Sequence, residues 1–273
     1  MQSMVTGEGR GLSQATPRAG NPSPAMQSGP LQLKVRRASQ PTPPDQNVYD
    51  TTYDPRGLVL ILNYREFKDR PDLLRKGSQY DVINLQNLFC QMGYETQIHW
   101  DLTEDQTLNT VSAFKNQERL QYTGCAIIVV MSHGIARQTF HTSDMQCITV
   151  EKILSMFLNS ECVYLKGKPK IFLFNFCRGT DIAHVQTDAV RETPKDILCI
   201  YSAPEGFVSY RYEEKGTPFI ISWCQVLSEN AHNMSLDDLL RKFKKVYSSV
   251  GHGITPDIQD LNFAKVFYFN PRT

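Results

Sequence analysis

The sequence predicts an α/β fold: a mostly parallel sheet of about six strands with helices on both faces. Two observations carry this. From Arg56 onward, short apolar runs of strand length alternate with amphipathic segments of helix length, the rhythm that lays crossover helices over a parallel sheet. Most of these runs are also nearly continuous in apolar residues rather than apolar at every second residue, as strands covered on both sides are.

The elements follow in order. Leu58–Tyr64 reads as the first strand. Residues 77–93 read as a helix with Ile83, Leu85, Leu88, Phe89 and Met92 on one face and Gly93 as its stop. Glu95–Trp100 is a second strand. Thr103 and Gln106 form a capping box that opens a helix with Leu108, Val111 and Phe114 inward. Cys125–Met131 is a third strand, Ile148–Leu158 a helix, Lys170–Phe176 a fourth strand and Ile197–Ser202 a fifth. Helices are expected at Phe219–Asn230 and Ser235–Val250, the latter capped by Ser235. Asn262–Phe269 is expected to close the sheet as a sixth strand, after a short loop from Gly251 to Asp260.

Residues 1–55 have another character. They hold eight of the 15 prolines, and residues 1–47 lack Phe, Trp and Tyr. Such a stretch buries too little apolar surface to offset its ordering entropy, so a disordered tail is expected there. The 273-residue chain thus divides into that tail and one domain, 56–273.

Composition narrows the function. The 29 Lys and Arg nearly balance the 28 Asp and Glu, which gives no case for nucleic acid or an anionic membrane as partner. Seven scattered cysteines without a C-x-x-C pair imply neither a disulfide framework nor a zinc site. A reducing, cytoplasmic setting is expected, with no metal and no cofactor. No run approaches the 18 apolar residues of a membrane span, and no Gly-rich phosphate loop is present.

In parallel sheets functional groups gather beyond the carboxyl ends of the strands. That rule selects Ser132-His133-Gly134 after the third strand and Cys177-Arg178-Gly179 after the fourth. A cysteine attacks carbonyls as thiolate and needs a base to reach that state near neutral pH. The following glycines let backbone amides approach an oxyanion. For any single His or Cys a structural role is the commoner one, and the other five histidines and six cysteines are assigned to it.

Ser-His-Gly after an apolar strand, then an apolar strand running into Phe174-Asn175-Phe176-Cys177-Arg178-Gly179-Thr180, resembles the S-H-G and Q-A-C-R-G signatures of the caspase family. Arg75-Lys76-Gly77-Ser78 with Asp81, Asn84 and Leu85 is similar to the family's R-x-G-[TS]-x-x-D-x-x-N-L, and Ser209-Tyr210-Arg211 to its S-[WY]-R. The resemblance spans residues 56–273. It implies a caspase-like three-layer sandwich of the short-prodomain type. It also implies a cysteine endopeptidase that cuts after aspartate, acts in programmed cell death and is made as a zymogen.

By position, Cys177 would be the nucleophile, His133 the general base and then acid, and the amides of Gly134 and Cys177 the oxyanion hole. Arg75 and Arg211 would line the S1 pocket with Asn175. Two guanidiniums suit a P1 carboxylate. Ser209 and Arg211 would pair with the substrate backbone as an added strand, and Val208 and Tyr210 would wall S2. Autocatalytic cleavage after Asp188 would separate a large-subunit part, 56–188, from a small-subunit part, 189–273. The implied partners are protein substrates with P1 aspartate, a second copy or another caspase as dimer partner, and inhibitor-of-apoptosis proteins.

Asn175 stands where the family has glutamine, and Phe176 where it has alanine. Asparagine is one methylene shorter. Phe176 should face the core, because side chains alternate along a strand. Two readings stay open: an active aspartate-specific protease, or a weakly active or inactive homologue that binds and regulates an active caspase through its last strand.

Overall fold

The computed structural model describes residues 28–135, 138–178, 192–207 and 210–271. Its strands and helices, in chain order, are β1 (Leu58–Asn63), α1 (Ser78–Gln91), β2 (Glu95–Trp100), α2 (Glu104–Lys115) and β3 (Ala126–Met131). Three short strands follow, β4 (Gly134–Ile135), β5 (Thr139–His141) and β6 (Cys147–Thr149), leading into α3 (Val150–Ser155). The chain ends with β7 (Lys170–Asn175), β8 (Ile197–Tyr201), α4 (Pro218–Asn230), α5 (Leu236–Val250) and β9 (Asp257–Leu261).

Six strands form one sheet in the order β2-β1-β3-β7-β8-β9. All neighbours run parallel except β9, which is antiparallel to β8. Every residue of β1, β3, β7 and β8 is buried, because helices cover both faces. Val59, Ile61, Ile127, Val129, Ile171 and Leu173 face α1, α4 and α5; Leu58, Leu60, Ile128, Val130, Phe172 and Phe174 face α2 and α3. The alternation of neighbouring residues between two cores is the two-residue period of a strand, read on both sides. This is the expected α/β sandwich.

Local signals set most boundaries. Thr103 and Gln106 make the reciprocal capping box on α2, and Ser235 accepts from the Asp238 amide at the start of α5. Cis Pro55 precedes β1. The expected helix at 148–158 is shorter. Cys147–Thr149 pairs with β5, and the Thr149 side chain caps α3 one residue later. On α1 the buried face carries Val82, Leu85, Leu88 and Phe89, with Asp81 and Asn84 among them. Ile83, expected inward, is exposed.

The last strand lies elsewhere than expected. It is Asp257–Leu261, all but its last residue inside the stretch read as a loop, and not Asn262–Phe269. Asn262 turns the chain out of the sheet with φ 55°. Phe267 and Phe269 then bury in the core beside α4 and α5. Their alternation mimics a strand, but it comes from a coil laid against helices.

Residues 28–55 also depart from expectation. They form no helix or strand, yet Val35, Ala38 and Tyr49 are buried. Backbone amides of this strap bond to Asn84, Gln91 and Ser228, and the Tyr49 hydroxyl donates to Asp196 (2.7 Å). A few apolar residues in a polar, Pro-rich segment suffice because the domain supplies the other half of the contact.

Candidate functional site

β3 and β7 are neighbours, with Met131 opposite Asn175. The ladder continues one step further, where Ser132 N donates to the Asn175 carbonyl (3.3 Å). Ser132-His133-Gly134 and Phe176-Cys177 therefore leave the sheet side by side, although 44 residues separate His133 from Cys177. A side chain at 134 would overlap the Cys177 carbonyl oxygen and lie 2.7 Å from the Phe176 ring. Glycine there is a packing requirement, and it keeps the 134 backbone against that of Cys177.

His133 is oriented by a backbone group. Its Nε2–H donates to the Leu73 carbonyl (2.8 Å). A carbonyl only accepts, so the proton of the neutral ring sits on Nε2 and Nδ1 remains an acceptor. Phe67 packs 5.3 Å from the imidazole. Burial pushes the His133 pKa down, the Leu73 bond opposes this, and the charges of Arg75 and Arg211 push it further down.

Cys177 is half-buried and shares with His133 a cleft of about 230 Å³ that Arg75, Asn175, Tyr210, Arg211 and Thr217 also line. Arg75 is fully buried. Its Nη1 donates to Asn63 Oδ1 (3.1 Å), the Tyr64 carbonyl (2.7 Å) and the Met131 carbonyl (3.0 Å). Burial, with Arg211 adding, lowers its pKa to about 9, so it stays charged at neutral pH. Among the described residues the Arg211 side chain is held by Nε donating to the Lys76 carbonyl (2.9 Å), and burial lowers its pKa too. Two guanidiniums converging on one small cleft make it a receptor for an anion.

Asn175 does not stand free at the cleft's base. Its Nδ2 donates to Thr217 Oγ1 (3.0 Å), and the same hydroxyl caps α4 by accepting from Ile220 N. Thr217 N donates to Asp81 Oδ1 (2.8 Å). Burial raises the Asp81 pKa to about 7. Phe176 faces the core, as strand alternation requires, 5.6 Å from Phe140 and 5.7 Å from Phe174.

Arg178 anchors the other side of Cys177. It is buried, pairs with Asp257 (2.6 Å), and lies 4.1 Å over the Tyr201 ring. Tyr210 packs 4.7 Å from His252. Val208, Ser209 and the processing site at Asp188 lie outside the described residues. Among the described residues no group of His, Cys, Asp and Glu is suited to hold a metal, and no helix is long and apolar enough to cross a membrane.

Comparison with known proteins agrees with this geometry. Residues 56–268 match the caspase domain. The chain belongs to the caspase family. Curated caspases are similar over most of it. Caspase Dronc of Drosophila melanogaster is 26% identical across 79% of this chain and 56% of its own length. Caspase-3 of Bos taurus is 29% identical across 72% of this chain and 74% of its own. The chain thus spans little more than half the length of Dronc. The crystal structure of Dronc superimposes with a TM-score of 0.75 at 24% identity, covering 92% of this chain and 98% of that one. The caspase domain begins at Arg56, two residues before β1, so the packed strap precedes it.

Sequence reasoning missed three participants. The Leu73 carbonyl carries no side-chain signal. Thr217 was visible only as a Thr-Pro helix start. Asp257 lay in a stretch read as a loop.

Proposed function

We propose that this caspase domain is an endopeptidase that cuts after aspartate. The observation that carries the proposal is one small cleft holding Cys177, His133 and two guanidiniums. In this reading His133 Nδ1 takes the Cys177 proton and the thiolate attacks the P1 carbonyl carbon. The amides of Gly134 and Cys177 receive the oxyanion. The imidazolium then protonates the leaving amine, and water hydrolyses the thioester. Arg75 and Arg211 receive the P1 carboxylate. Ser209 and Arg211 pair with the substrate backbone as an added strand, and Val208 and Tyr210 wall S2. The Leu73 bond holds the imidazole in the tautomer that this sequence needs, which supports the assignment of His133.

Cytoplasmic action in cell death, zymogen processing after Asp188 into 56–188 and 189–273, dimerisation, and recognition by inhibitor-of-apoptosis proteins belong to the same proposal. β9 is an edge of the sheet, which suits it to the dimer contact assigned to the last strand.

One observation favours the second reading, a weak or inactive regulator: Asn175, one methylene shorter than the family's glutamine, turns an amide hydrogen to Thr217, and the P1 carboxylate would rest chiefly on the two arginines. Hydrolysis of a fluorogenic peptide with P1 aspartate, beside its P1 asparagine twin, separates the two. Turnover that prefers aspartate and disappears in Cys177→Ala supports the protease. No turnover at high enzyme concentration, with stimulation or inhibition of an active caspase, supports the regulator.

A further inference from the structure

Residues 34–39 of the strap read Lys-Val-Arg-Arg-Ala-Ser. We propose that Ser39 is a phosphorylation site for a basophilic Ser/Thr protein kinase, one whose cleft selects arginine three and two residues before the acceptor. Such kinases choose substrates by charge pattern: carboxylates in the cleft bind the two guanidiniums through charge-assisted, often bidentate bonds.

Sequence offers two such places, and the structure separates them. Arg75-Lys76-Gly77-Ser78 has the same basic pattern. Ser78, however, is fully buried, its Oγ accepts from Asn63 Nδ2 (3.1 Å), and Arg75 is buried under three hydrogen bonds. No kinase reaches it in the folded chain. At the other place Ser39, Arg36 and Arg37 are all exposed. Neither guanidinium has an ion-pair partner among the described residues. Lys34, Arg36 and Arg37 border an open depression of about 610 Å³ with His232.

The backbone there suits a kinase cleft, which takes its substrate extended. Residues 31–38 form no helix, strand or turn. The strap is tied through Arg36 N to the Ser228 carbonyl (2.8 Å), through Ala38 N to the Pro271 carbonyl (3.4 Å), and again through Thr42 N to Asn270 Oδ1 (2.9 Å). Ser39, Gln40 and Pro41 bridge the last two ties as an exposed bend. Ala38 is the one buried side chain between Arg36 and Thr42, and a methyl group is little apolar surface to lift. A local opening of this short segment is enough to present it.

The transfer needs ATP as donor. The Ser39 Oγ–P bond forms, the bond from Pγ to the β–γ bridging oxygen breaks, the hydroxyl proton passes to the kinase's base, and ADP leaves. The product carries a charge of about −1.5 to −2 beside Arg36 and Arg37. It offsets about half to two-thirds of the three positive charges of this face.

The test incubates the native full chain with ATP and the catalytic subunit of cyclic-AMP-dependent protein kinase as basophilic probe, and locates phosphate by peptide mass spectrometry. Ser39 should be labelled and Ser78 should not. Arg36→Gln and Arg37→Gln should each lower the kcat/KM for labelling about 10- to 100-fold, the worth of a hydrogen bond to a charged group. Thermal melting confirms that these exposed substitutions leave the fold unchanged. The proposal is overturned if Ser39 is labelled only in denatured chain, if phosphate lands elsewhere while Ser39 stays unmodified, or if labelling is indifferent to both arginines.

Discussion

Arg211→Met tests the proposed P1 pocket with least damage to the fold. The Arg211 side chain makes one hydrogen bond within the described structure, Nε to the Lys76 carbonyl, so removing the guanidinium should cost stability only about 1 kcal/mol. Arg75 is a poorer probe, because its loss removes buried bonds to the Asn63, Tyr64 and Met131 oxygens together. A hydrogen bond to a charged group is worth about 1.5–3 kcal/mol, so a bidentate contact with the P1 carboxylate is worth about 3–6 kcal/mol. At about 1.4 kcal/mol per decade, kcat/KM on an aspartyl peptide should fall about 10²- to 10⁴-fold. The loss on the asparaginyl twin should be much smaller, so selectivity collapses with rate. A second readout follows from charge. Burial lowers the His133 pKa most, and Arg75 and Arg211 lower it further. With Arg211 gone the imidazolium is less disfavoured, its pKa rises, and the acid limb of the kcat/KM profile moves to higher pH. That limb reports the free enzyme. A loss under tenfold with aspartate preference intact would refute Arg211 as carboxylate receptor. A limb that stays in place would refute His133 as the group that titrates there.

Cys177→Ala should abolish turnover and leave the melting temperature nearly unchanged, since no described cysteine is in a disulfide and no crosslink is lost; residual activity would reassign the nucleophile. His133→Ala should lower kcat about 10²- to 10⁴-fold. Asn175→Gln should raise kcat/KM about 10- to 100-fold with aspartate still preferred, by restoring one hydrogen bond to the P1 carboxylate; unchanged activity would show that this position does not limit the rate. Pairing that change with Phe176→Ala is the wrong experiment, because deleting a buried ring among Phe140 and Phe174 costs about 3–5 kcal/mol. Asp188→Ala should leave the chain uncut by intact-mass measurement, where the unmodified chain yields fragments ending at Asp188 and beginning at Ala189.

The parts of the fold legible in the sequence are those whose signals are local. β1, β3, β7 and β8 announce themselves because a strand covered on both faces is apolar at nearly every position. α2 and α5 do so because their caps are written in Thr103, Gln106 and Ser235. Apolar alternation misled at the end of the chain. It cannot distinguish a strand that buries one face against helices from a coil that does the same, so Phe267 and Phe269 passed for strand residues. Meanwhile Asp257–Leu261, polar at three of five positions, reads as a loop. Its place in the sheet is earned by main-chain bonds to β8 and by the Arg178–Asp257 pair, neither of which is visible locally. The strap was hidden for a related reason: composition reports how much apolar surface a segment brings, not how much the surface opposite offers.

The site divides along the same line. Cys177, His133 and the arginines were found through motifs, whose residues carry chemistry in their side chains. What orients them is read only in three dimensions. The Leu73 carbonyl fixes a tautomer with a group every residue possesses. Thr217 joins three elements: its hydroxyl caps α4 and holds the Asn175 amide, and its backbone amide is tied to Asp81 on α1. Asn175 is therefore not a longer amide cut short, with its polar end orphaned in the core. Its Nδ2 has a partner at 3.0 Å, and burying an amide with its bond made carries little penalty. The substitution thus costs the fold little, and its consequence falls on the ligand. In the proposed enzyme, charge from Arg75 and Arg211 selects aspartate whatever residue 175 does, whereas rate depends on the contact that residue 175 no longer makes. Selectivity and rate are thereby separated onto different side chains, and substitutions at 175 and 211 should move them independently.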